Sequence, residues 1–263
     1  TSQILENFKE FIGSQAPDDD ITIMTLSLFP LKVYQNFSGD LPINDSYLCT
    51  ENSQDASVII YDDLISKALS EITMGEDLNT IVDRKELETR DNPLKPRDII
   101  LDKITKVEFE NQSVSEVSEK VEKAISEVIK KDAFNEMERY LKQTSIELVQ
   151  NALIYQKSLE INKPVTLVMG RNDNHYSIEV TDLNGALDPL VILNKAKRAF
   201  IERTYEKKDT GAGLGSSMVI LGSDEVSIKV KAGEYTQIRC IIGKYKRIKE
   251  FKLKNNAIYI SKG

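Results

Sequence analysis

An α/β two-layer sandwich with a mixed, largely antiparallel sheet is the fold class the sequence predicts, and two observations carry it. Long stretches with apolar residues at helical spacing come first, and short alternating runs in hairpin-like pairs follow them. Strands that follow helices and pair with their neighbours build an antiparallel layer. A doubly wound parallel sheet would need strand and helix to alternate throughout.

The elements follow in order. Val107 and Phe109 suggest a short strand, and Ser113-Val-Ser-Glu116 is a capping box opening a helix with Val114, Val117, Val121, Ala124, Ile125 and Val128 on one stripe. A second helix is expected from about Phe134 to Gln156, its core side given by Phe134, Met137, Leu141, Leu148, Ala152 and Tyr155. Val165–Met169 and Tyr176–Thr181 read as strands, followed by a polar connection and a glycine-led helix whose buried stripe is Leu214, Met218 and Leu221. Strands near Val226–Val230 and Gln237–Ile242 complete the set.

Composition is that of an ordinary globular chain: 263 residues, 40% hydrophobic and 29% charged, enough for one large or two small cores. No stretch approaches the roughly 20 apolar residues of a membrane span, and no signal-peptide core is visible. Cys49 and Cys240 give no disulfide framework, so a cytoplasmic setting is expected. The missing initiator Met suggests a fragment of a longer protein. Residues 191–263 carry a net +9 and residues 1–190 a net −16. The segment Lys244–Lys254 reads as a basic tail that docks on an acidic surface, or as a solvated final strand or helix, and the acidity of the whole argues against nucleic acid as partner.

Three segments carry chemistry. Glu147 and Asn151 lie four apart on the second helix and share an edge with Thr144; either this edge lines a cleft or it is a solvated polar face. Gly211-Ala-Gly-Leu-Gly215 opens the glycine-led helix, where backbone N–H groups and the helix dipole would cradle a phosphate; the plain alternative is a tight turn. Ser216 and Ser217 follow with no Lys, so this is not a P-loop. The third segment, Val180-Thr-Asp-Leu-Asn-Gly-Ala-Leu187, ends a strand-like run. Pro189–Thr210 has the length of a functional lid, although Leu190–Tyr205 also looks partly helical; its cations either run solvated or neutralise phosphate charge, and Lys207 and Lys208, beside the glycines, are the candidates for the second role.

Over roughly residues 105–243 these motifs resemble the Bergerat-fold ATPases, the GHKL superfamily of gyrase, Hsp90-type chaperones, histidine kinases and anti-sigma serine kinases. The resemblance implies ATP and Mg²⁺ as cofactors. It makes Glu147 the catalytic acid-base residue, Asn151 the metal-binding Asn, with Tyr155 at a position usually His or Tyr, and Asp182 the acceptor of the adenine amino group, with Gly185 in the same turn. Gly211, Gly213, Leu214 and Gly215 match the second glycine box, and Gly233 with Thr236 the late Gly-x-x-Thr. One departure stands out: the usual Asp-x-Gly-x-Gly is here Asp182-Leu-Asn-Gly-Ala. The only histidine, His175, lies after the Glu147–Asn151 segment on a strand, which excludes the histidine-kinase branch, and the length argues against gyrase-like or chaperone machines. What remains is an anti-sigma type of serine/threonine kinase. The resemblance implies as partners a STAS-domain or sigma-factor-pathway protein, a second copy of the chain and an attached serine phosphatase. A nucleotide-gated interaction module without turnover is the main alternative, and a DNA-binding regulator using the basic tail is a third.

Residues 1–29 support the phosphatase link, because a helical stripe followed by Asp18-Asp-Asp-Ile-Thr resembles the closing helix and strand of PPM-type serine phosphatases. Residues 30–104 show a strand at Ser57–Tyr61, a helix at Asp62–Ile72 and a charged, exposed connection over Gly75–Arg97, without a motif. The expected organisation is therefore 1–29 phosphatase-like, 30–104 connecting, 105–243 ATP-binding and 244–263 basic tail.

Overall fold

The computed structural model describes residues 57–61, 65–73, 78–110, 112–129, 135–202, 215–245 and 256–262. All of them belong to one unit, Asp45–Gly263. The phosphatase-like segment 1–29, the lysines Lys207 and Lys208, and Gly211, Gly213 and Leu214 lie outside the described residues.

In chain order the elements are β1 (Ser57–Tyr61), α1 (Ile65–Glu71), β2 (Leu78–Asp83), α2 (Arg84–Thr89), β3 (Lys103–Phe109), α3 (Val114–Val128), α4 (Asn135–Ser158), β4 (Val165–Arg171), β5 (His175–Asp182), α5 (Pro189–Lys197), a π turn (Arg198–Glu202), α6 (Gly215–Gly222), β6 (Glu225–Lys231), β7 (Tyr235–Gly243) and β8 (Ala257–Lys262). The strands form one eight-stranded sheet in the order β1-β2-β8-β6-β7-β5-β4-β3. Within it β1·β2 and β6·β8 are parallel, and the other pairings are antiparallel.

Register explains the core. One row of partners runs Ile81, Ile258, Val226, Cys240, Ile178 and Met169, and every one of them is buried on the same face of the sheet. Against that face pack α3 and α4 over β3–β7, and α1 and α5 over the β2–β8 end. Helix α6 sits where the two cores meet, with Val219 in one and Ile220 in the other. Its buried side chains therefore differ from the expected stripe: Val219 and Ile220 are inside, while Met218 and Leu221 are only partly covered. A helix wedged between two cores buries two flanks, so a single amphipathic stripe does not describe it. The capping box of α3 forms as expected, Glu116 Oε2 accepting from the Ser113 N–H at 2.7 Å.

The sheet reaches beyond the 105–243 stretch to which the motifs belong. Residues expected as a connection supply β1, β2 and α2, and the expected basic tail ends in β8, an interior strand with Ala257, Ile258, Tyr259 and Ile260 buried. Because β2 and β3 are consecutive in the chain but nearly at opposite ends of the sheet, the segment 84–102 between them crosses the second face. We refer to it as the strap.

Buried charge pins the strap down. Glu225, on the second face of β6, accepts the backbone N–H of Arg97 at 3.0 and 3.1 Å and has Arg90 at 3.5 Å and Arg239 at 3.7 Å. Arg239 in turn donates to the Arg97 carbonyl at 2.8 Å, Arg97 pairs with Glu86, and Arg90 donates to the Tyr259 hydroxyl at 2.8 Å. Farther along, Leu101 lies on Gly170, where a Cβ would stand 2.5 Å from Leu101 Cδ1. The charged run expected as an exposed connection thus holds Glu86 at 3% exposure, because its charges find partners across the sheet.

Glu225→Ala would leave three arginines around an empty site. Breaking a buried pair from one side costs about 3–5 kcal/mol, so urea denaturation should show a loss of that order with an unchanged m-value.

Candidate functional site

Asp182 is the last residue of β5 and pairs with Thr236 on β7, which buries both. Burial pushes the Asp182 carboxyl above its ordinary range, against hydrogen bonds from the amides of Asn184, Gly185 and Thr236 that pull it down. The turn behind it needs Gly185, whose φ is +62° and where a Cβ would fall 1.9 Å from the Lys231 carbonyl. That carbonyl belongs to the β6–β7 hairpin, closed by Glu234 N–H donating to Lys231 O at 2.9 Å, with Gly233 at φ +73°. The two turns therefore stack, and Asp182 and Thr236 lie at their base.

Helix α4 presents Glu147, Asn151 and Tyr155 at steps of four, on one edge. Asn151 Nδ2 donates to Glu147 Oε1 at 2.8 Å. At the start of α6, Gly215 is pressed on Glu147: a Cβ there would lie 1.7 Å from Glu147 Cδ. At the other end of the edge, the Tyr155 hydroxyl donates to the Ala186 carbonyl at 3.0 Å. One helix edge thus touches the N-terminus of α6 with one residue and the turn behind Asp182 with another, and the exposed Asn151 stands between the two. Lys163 Nζ adds a bond to the Leu183 carbonyl at 3.2 Å.

Two details differ from the expectation. Thr144 does not share the polar edge but turns inward beside Gly222, buried at 1% exposure, because it falls on the Leu141–Leu148 flank. Tyr155 is not a core residue; it is exposed, with its ring end tied to the turn. Asn184 was visible only as a departure from a motif, and the structure places it in the buried part of the turn at 5% exposure.

His175 lies at the opposite end of β5 from Asp182, its Nε2 3.4 Å from Arg97 Nη1. Burial, then Arg97 and Lys244, hold its pKa below the usual value. A cavity of about 270 Å³ adjoins it, lined among others by Glu86, Arg97, Asp224 and Tyr245, and so belongs to the strap rather than to the Asp182 site. Among the described residues no group of three or more His, Cys, Asp or Glu could hold a metal ion, and no helix is long and apolar enough to cross a membrane.

No protein-family model matches the chain, and no curated protein does. Among solved structures the chain is similar to one in the SiaB–SiaC complex from Pseudomonas aeruginosa, at 18% identity and a TM-score of 0.39, covering 52% of this chain and 88% of that one. So remote a likeness carries no argument about the site, whose chemistry is read from the chain's own residues.

Two outcomes test the geometry. Gly185→Ala puts a methyl into the Lys231 carbonyl at a positive φ, and should lower the melting temperature markedly, since such strained positions cost about 1–3 kcal/mol before any clash is counted. The raised pKa of Asp182 has the opposite sign to an ordinary paired carboxylate: the folded state binds its proton more tightly than the unfolded one. Stability from this group is full below its unfolded value of 3.8 and falls as pH rises through the folded value. The stability of Asp182→Asn relative to the parent should therefore climb over that range and then level off, as read by denaturation at a series of pH values.

Proposed function

We propose that this chain is a Bergerat-type Mg-ATP-binding protein, acting as a serine/threonine kinase on a STAS-domain partner in a sigma-factor partner-switching pathway. The observation that carries the reading is the α4 edge, with Glu147 against the start of α6 and Tyr155 against the turn behind Asp182. Three separated stretches of chain meet there. The donor set fits the ligand: Asp182 is a buried acceptor suited to an amino group, and Asn151 spends its amide nitrogen on Glu147, so that its oxygen is the hard donor left for Mg²⁺. The N-terminus of α6 offers N–H groups and a positive dipole end to phosphates.

Mg²⁺, when bound, would neutralise phosphate charge. The chain's residues would do the rest: Asp182 fixes the base, Asn151 and the α6 turn orient the phosphates, and Glu147 takes the proton of a partner hydroxyl as its oxygen attacks the γ-phosphorus and ADP leaves. A second reading, an ATP-gated interaction module without turnover that regulates an attached serine phosphatase, is favoured by one contact. The Glu147 carboxylate is already bonded to Asn151 and wedged against Gly215, rather than presented to an incoming hydroxyl.

Calorimetric titration of the full chain with Mg-ATP should give saturable binding that Asp182→Asn weakens at least about tenfold, the scale of one lost hydrogen bond to a charged group. With radiolabelled ATP and a STAS domain, Glu147→Ala should bind nucleotide and transfer nothing. Equal label on the partner with the parent and with Glu147→Ala would sink the role given to Glu147, and no label with either, at normal binding, would leave the interaction-module reading.

A further inference from the structure

Asn184 stands in the turn where its side chain is tied at one end only. Its backbone N–H donates to Asp182 Oδ1 at 3.2 Å, and its Oδ1 accepts the Ala186 N–H at 2.9 Å. An N–H can be met only by an acceptor, so the second bond fixes which end of the amide is oxygen. The other end, Nδ2, is buried and has no hydrogen-bond partner among the described residues. Buried amide donors are nearly always satisfied, so one left open two residues from a buried carboxylate calls for an external acceptor.

A buried donor without a partner, two residues along the turn from the buried acceptor Asp182, suits the edge of a base that carries an acceptor beside a donor. Adenine has such an edge, its exocyclic amino group flanked by the ring nitrogens N1 and N7. We propose that Asn184 is a specificity residue of the nucleotide site, its Nδ2 donating to a ring nitrogen beside the adenine amino group while Asp182 accepts from that amino group. The inference rests on the Mg-ATP reading of the site. It gives the departure from glycine at this position a chemical role: a side-chain donor reads the base. Guanine in the same pose turns its carbonyl oxygen toward the Asp182 carboxylate, acceptor against acceptor, and is refused.

The test crosses ligand and protein. Mg-ATP, Mg-1-deaza-ATP and Mg-7-deaza-ATP, each of the analogues having one ring nitrogen replaced by C–H, are titrated calorimetrically against the parent chain and against Asn184→Ala. The expected result is that one analogue binds the parent at least about tenfold more weakly than ATP, the scale of a buried donor left unmet, and that this difference vanishes in Asn184→Ala. The comparison on the parent needs no variant, so it stands even if Asn184→Ala folds poorly; Asn184→Ser then completes the cross. Both analogues binding the parent as tightly as ATP would overturn the inference and leave the ATP reading intact, as would a preference that persists unchanged in the variant. No binding of ATP by the parent would overturn both.

Discussion

One carboxylate holds this architecture together. Glu225 is 1% exposed on the second face of the sheet and gathers the Arg97 amide, Arg90 and Arg239 around it. The chain order makes it indispensable, since β2 and β3 sit far apart in the sheet and the strap between them has few apolar side chains with which to stick to the strands it crosses. Leu87 and Leu94 pack on Val82, Ala257 and Tyr259 at one end, and Leu101 on Gly170 at the other. Between them the path is fixed by charge and its hydrogen bonds. An ion-pair cluster in such a place specifies a route more than it adds stability, because the same volume of apolar side chains would hold at least as well but in no particular register.

The opposite face is built on the ordinary hydrophobic effect, and the site is a by-product of where its two cores join. Helix α4 must lie along the larger core to bury Met137, Leu141, Leu148 and Val149, which leaves Glu147, Asn151 and Tyr155 on its outer edge. Helix α6 must lie in the seam, which brings Gly215 onto Glu147. Strand β5 ends at the same edge and delivers Asp182. The two departures of the site from low energy, a desolvated carboxylate and an open amide donor, are carried by the packing of the two cores around it.

Much of this was legible in the sequence because its signals are local. The capping box Ser113–Glu116, the long period of α4 and the β4–β5 and β6–β7 hairpins each close within a few residues to a few turns of chain, and each forms about where the pattern puts it. The rest is non-local. β8 is a six-residue run whose apolar start, Ala257-Ile-Tyr-Ile260, suits a buried strand, but its partners β2 and β6 lie outside it in sequence, so its interior place in the sheet cannot be read from the run itself. The strap is harder still, since Glu86 and Arg97 look like a solvated charge run until Glu225, 128 residues from Arg97, is seen to meet them. At the site, the motif residues are named by the resemblance rather than by spacing, which leaves the Glu147–Asn151 edge open, and the inward turn of Thr144 and the open Nδ2 of Asn184 depend on packing that no motif encodes.

The interior position of β8 bears on how such a module can be moved. The strand inserts between β2 and β6, so it separates the two halves of the sheet while hydrogen-bonding both. A cassette trimmed to its motifs would carry Glu147, Asn151, Asp182 and Asn184 and yet expose the raw flank of β6. Transplantation into another protein, by evolution or by an engineer, must therefore take the whole woven sheet or find the foreign host a replacement strand.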